Sequence, residues 1–172
     1  MKVIEQEIHS LKNSISEMWA LVHQQLYNAG EAMLTGDKEL AYKVISRERR
    51  VNAFELKIDS DCEDIIALYA PVAIDLRFVL AMYKINTNLE RLGDFAESIA
   101  RFAGNLPEGE PIDPQLVKET RVEEMLSELL SMISLTKEAF EKESSEIASR
   151  IFLKDNLIDE INHNSTAIIA NI

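Results

Sequence analysis

The sequence predicts an all-α protein, an antiparallel helical bundle. Three observations carry this. Apolar residues recur at spacings of three and four through five long segments. No segment alternates apolar and polar residues as a half-buried strand does. The 172 residues include only 5 Gly and 4 Pro, three of the prolines in one short stretch, so helices can run long without interruption.

The first segment runs from about Val3 to Leu34. Ile8, Leu11, Ile15, Met18, Trp19, Val22, Leu26, Ala29 and Met33 share its apolar face. Thr35-Gly36-Asp37 ends it, and Asp37 is placed to cap the next helix. The second segment spans about Lys38 to Tyr69, with Val44, Val51, Phe54, Ile58, Cys62, Ile65 and Leu68 inward, and Pro71 stops it. The third spans about Ala73 to Ala103, with Leu76, Val79, Met82, Leu89, Ala96 and Ile99 inward and Gly104 as its expected carboxy-terminal cap. Asn105 to Pro114 reads as a linker, holding Gly109 and three prolines. Asp113-Pro114 then has the pattern of an N-cap followed by a first-turn proline. A fourth helix is expected over Gln115 to Lys142, and a fifth, capped by Ser144 or Ser145, to the end.

A repeat underlies this order. Ala41, Val44, Glu48, Val51 and Asn52 match Ala148, Ile151, Asp155, Ile158 and Asp159 at a constant offset. Any two amphipathic helices share an apolar period, so the polar pairs Glu48/Asp155 and Asn52/Asp159 carry the match. The fifth segment thus repeats the second, and the fourth the first. The counterpart of the third is expected beyond Ile172.

Composition narrows the function. Thirty acids against 18 bases give a net charge of −12, which argues against nucleic acid as a partner and fits cations or a basic protein surface. Cys62 is the only cysteine, so no intrachain disulfide or thiolate metal site is expected. The amino terminus lacks a signal-peptide core, and no stretch nears the roughly 18 apolar residues of a membrane span. A cytoplasmic protein is the resulting expectation.

The chemistry-bearing residues lie on the second and third segments. Glu90, Asp94 and Glu97 stand at i, i+4 and i+7 and share one helix face. Like charges so spaced cost an isolated helix about 0.2–0.5 kcal/mol, which a cation, or Arg91 and Arg101, would offset. The second segment carries Glu48, Asn52, Glu55 and Asp59 at i, i+4, i+7 and i+11. A hairpin turning near Pro71 sets Glu48 level with Asp94, and Asn52 level with Glu90. Two acidic stripes meeting this way make either an oxygen-rich site for a hard cation or two solvated faces balanced by Lys and Arg. Glu160-Ile161-Asn162-His163 has the Glu-x-x-His spacing of di-iron bundles. A ferritin-like site needs a second copy, so the single copy reads as a surface histidine. Asp75 suits the first helical turn, and Arg77 is open to local pairing or to a partner surface.

Pro71, Asp75-Leu76-Arg77 and Glu90-Arg91-Leu92-Gly93-Asp94 together give the chain its likeness to a known family. It resembles the PhoU regulators of phosphate transport, over nearly all its length. The resemblance implies two three-helix repeats. Residues 1–104 would be the first, 105–114 the linker, and 115–172 a second repeat lacking its last helix. It also implies a Glu-x-x-x-Asp motif on the third helix, matched by Glu90 and Asp94, that binds a divalent or trivalent metal such as iron or zinc. The second motif would fall beyond Ile172, leaving Asp155 and Asp159 without partners. The function implied is non-enzymatic. It is a homodimer that links a phosphate ABC transporter to its sensor kinase, represses phosphate-starvation genes, and reaches the membrane only through those partners.

Overall fold

The computed structural model describes residues 3–107 and 110–170. Met1 and Lys2, Glu108 and Gly109 of the expected linker, and Asn171 and Ile172 at the end of the last expected helix lie outside the described residues. Among the described residues there are six helices and no strand: α1 (Val3–Thr35), α2 (Lys38–Tyr69), α3 (Ala73–Asn105), α4 (Pro114–Thr120), α5 (Val122–Glu141) and α6 (Ser145–Ile169).

Local chemistry sets most of the boundaries. Gly36 takes φ +73, and Asp37 accepts the amide of Leu40 at 2.9 Å to start α2. Asp113 caps α4 through the amide of Gln115 at 2.9 Å, and Ser144 caps α6 through that of Ile147 at 3.2 Å. Two boundaries differ from expectation. Gly104 is inside α3, which runs on to Asn105. The expected fourth helix is broken at Arg121, whose φ of 54 is left-handed, so α4 and α5 are separate. At the break Arg121 pairs with Glu124 one turn on at 2.8 Å and with Glu160 of α6 at 2.9 Å, and Ser165 Oγ of α6 lies 2.7 Å from the Thr120 carbonyl.

Helices α1, α2 and α3 each pack on the other two. Their shared core holds Leu11, Ile15, Met18, Val22, Leu26, Val44, Val51, Ile58, Cys62, Val79, Met82 and Leu89, all essentially buried. Leu68, expected inward, is 72% exposed at the bundle end, where α2 gives way to the turn. Helix α5 packs on α1 and on α6. Trp19 stacks on Phe140 with centroids 5.6 Å apart, and Lys12 sits over the same ring. Gly30 permits the close approach of α1 and α5. A Cβ there would stand 2.1 Å from Leu126 Cδ2, so that leucine would have to move aside.

Candidate functional site

The hairpin of α2 and α3 has the register the sequence implies. Asn86 Nδ2 donates to the Glu55 carbonyl at 2.9 Å, and the Cys62 thiol lies 3.9 Å from the Val79 carbonyl. Gly93 fixes how near the helices come. A Cβ at Gly93 would lie 2.8 Å from Val51 Cγ1 and 3.5 Å from Glu48 Oε2. The glycine of the Leu-Gly-Asp run is therefore a packing requirement within a helix.

Glu48 sits on the apolar stripe of α2, between Val44 and Val51. It is 6% exposed, and neither carboxylate oxygen has a hydrogen-bond partner among the described residues. A buried, unpaired carboxylate is costly as an anion. Burial, and then the fields of Asp94, Glu97 and Glu90, push its pKa from 4.5 up to about 7. The sequence set Asp94 level with Glu48; Glu90 and Glu97 lie on the same α3 stripe, one turn either side of Asp94. Glu90 is also raised, by burial first and then by Asp94 and Glu55, against the opposing pull of Arg91. Glu97 is tied one turn on to Arg101 at 2.6 Å.

The other expected site residues are placed apart. Asn52 is exposed on α2, and Glu55 is the α2 acid whose field reaches Glu90. Asp155 and Asp159 are exposed on α6, a helix that does not pack against α2 or α3. Among the described residues, no three His, Cys, Asp or Glu side chains stand together closely enough to hold a metal ion. His163 is exposed, and Glu160 beside it is engaged by Arg121.

Sequence reasoning missed Asn86. It is fully buried, its Nδ2 donates also to Asp59 Oδ1 at 2.7 Å, and its own Oδ1 has no partner. The signal was available. Asn86 falls on the same helical stripe as Val79, Met82, Leu89 and Gly93, where a polar residue is anomalous.

Fold and site define a helical-bundle protein organised about a buried acid facing three others across a helix pair. The chain belongs to the PhoU family, whose PhoU domain matches residues 15–103. It is 35% identical over 159 residues to the phosphate-specific transport system accessory protein PhoU homolog of Aquifex aeolicus, covering 91% of this chain and 69% of that protein. To PhoU of Escherichia coli K12 it is 34% identical over 154 residues, covering 90% of this chain and 62% of that one. The chain thus spans between 62% and 69% of the length of these two relatives. Among solved structures, the phosphate transport system regulatory protein PhoU of Streptococcus pneumoniae matches with a TM-score of 0.84 at 30% identity, covering 97% of this chain and 77% of that one. PhoU of Pseudomonas aeruginosa matches with a TM-score of 0.85 at 25% identity, covering 97% and 78%.

Proposed function

We propose that this chain regulates phosphate transport by protein contact, coupling a phosphate ABC transporter to its sensor kinase and holding starvation genes down when phosphate is plentiful. The observation that carries this is the family match together with relatives described as accessory proteins of phosphate transport. In this reading the protein is a cytoplasmic homodimer that performs no catalysis. Residues 1–104 are one functional repeat and 115–172 part of a second, joined by 105–114. Deleting the gene should raise phosphate uptake and starvation-gene expression in phosphate-rich medium. Unchanged uptake and expression in the deletion strain would refute the regulator reading.

We also propose a cation as the partner of the α2–α3 acids. The donors are carboxylate oxygens, which suit a hard metal such as iron, manganese or magnesium, and zinc less closely. Glu48 brings two buried oxygens that lack any partner, and Glu90 and Asp94 supply the rest. Because no three acids stand together as a ready cage, binding requires these side chains to rearrange. Bound metal would supply positive charge that stiffens the helix pair. It should raise stability by mass action, about 2.7 kcal/mol at a hundredfold excess over the dissociation constant. Glu90→Gln with Asp94→Asn should abolish that rise while keeping helicity. If wild type shows no rise with iron, zinc, manganese, magnesium or calcium, the cation reading fails. A second reading is favoured by the raised pKa of Glu48: a proton on that carboxyl, and no metal, removes the buried charge.

A further inference from the structure

The end of the bundle where α2 turns into α3 carries an exposed apolar patch. Leu68, Val72 and Ile74 are 72, 74 and 80% exposed, and all three flank one turn. The antiparallel pairing of α1 with α2, marked by Lys57 Nζ to Ser14 Oγ at 3.1 Å, brings the exposed Val3 to the same end. Pro71 is buried beneath the turn and anchors it. Ala70 and Ala73 hold left-handed φ values of 44 and 50, a region that non-glycine residues seldom occupy. The turn is thus fixed with its large apolar side chains facing outward. Singly exposed apolar residues are ordinary, but a contiguous exposed group marks an interaction surface.

Acids surround this patch. Glu7, Glu63, Asp64 and Asp75 are exposed around it. On the first two turns of α1, the last three of α2 and the first two of α3, Arg77 and His9 are the only basic residue types among the described residues. Further inward on α2, the thiol of Cys62 feels Glu63 among its neighbouring acids. It is pushed up to about 12, by burial first and then by Asp59, Asp61 and Glu63.

That charge selects the occupant. An anionic membrane surface attracts basic segments and repels this one. A second copy offering the same end in a two-fold contact would set acids against acids. A protein segment with Lys or Arg around an apolar anchor complements both features. We propose that the α2–α3 end of the bundle is a docking surface for a basic, apolar-anchored segment of a partner protein. The proposal rests on the reading that the chain acts by contact, and it names the surface used.

The test uses the whole chain, with isotope-labelled methyl groups, and a synthetic amphipathic helix of leucine and lysine. Methyl shifts should centre on Leu68, Val72 and Ile74. Affinity should fall at least tenfold in Leu68→Ser/Ile74→Ser and in Glu63→Lys/Asp64→Lys. It should be unchanged in Phe95→Ser, an exposed apolar control on α3, and should weaken as salt rises. A leucine–glutamate helix should not bind. Shifts centred near Glu90 and Asp94, or unchanged affinity in both tip variants, would overturn the proposal. So would tip-dependent self-association, or tip-dependent binding to phosphatidylglycerol vesicles. Complementing the deletion strain separates the two claims. If wild type fails to restore repression, the regulator reading fails. If wild type and the tip variants restore it equally, only the docking surface fails.

Discussion

Replacing Glu48 with Gln removes a titration while keeping the shape of the side chain. Its folded-state pKa of about 7 lies above the ordinary 4.5, so the protonated carboxyl favours folding. The contribution is whole below pH 4.5 and is lost as pH rises to about 7. Each tenfold change in proton affinity is about 1.4 kcal/mol, so the loss amounts to roughly 3 kcal/mol. The glutamine variant does not incur it. Its stability relative to wild type should therefore climb by roughly 3 kcal/mol between these pH values and stay level above them. In a chain of this size that is about 6–12 °C in melting temperature. The buried amide has its own desolvation cost of about 1–3 kcal/mol, but that cost is independent of pH, so the slope is diagnostic. The other ionisable groups are present in both proteins, so all but their coupling to Glu48 cancels in the difference. Urea denaturation in chelator at several pH values measures it. A difference that does not change with pH, or that grows toward acid, refutes the reasoning.

Two structural predictions follow from the same geometry. Gly93→Val forces a side chain into space already held by Val51 Cγ1, and overpacking of this kind costs about 1–3 kcal/mol, read as a lower denaturation midpoint at unchanged m-value. Asp37→Ala removes the cap on the Leu40 amide and should cost about 1 kcal/mol, with Asp37→Asn restoring most of it in the same assay.

The sequence was legible where the cause is local. The caps at Asp37, Asp113 and Ser144 depend on a side chain and an amide two or three residues away, so the residue types suffice. The break at Arg121 was not legible. No glycine or proline marks it, and beside the local Arg121–Glu124 pair its contacts come from Ser165 and Glu160, some 40 residues on in the chain. The hairpin register correctly set Glu48 among the α3 acids, but level is not direction. Val51 faces α3. Glu48 and Glu55, three residues before it and four after, share its face, whereas Asn52 is turned about 100° away and is exposed. Direction follows from the apolar stripe, and Glu48 and Asn86 both interrupt one.

The aligned stretches of α2 and α6 show what gives the buried acid its character: in sequence, Val51 aligns with Ile158 and Glu48 with Asp155. In α2, Val51 is buried against Gly93 of α3, and Glu48 is sealed beneath the same helix. In α6, Ile158 lines an open apolar pocket with Gly30, Met33, Met125, Leu126 and Leu129, and Asp155 is exposed. The pattern along the two helices is alike, so the difference does not arise within α2. It arises from the helix laid across it. Helix α3 excludes water from Glu48, and it contributes the three acids that then oppose ionisation. Any influence that shifts α3 along α2 must therefore change the proton affinity of Glu48. By linkage, protonating Glu48 must in turn favour the packing of α3 against it.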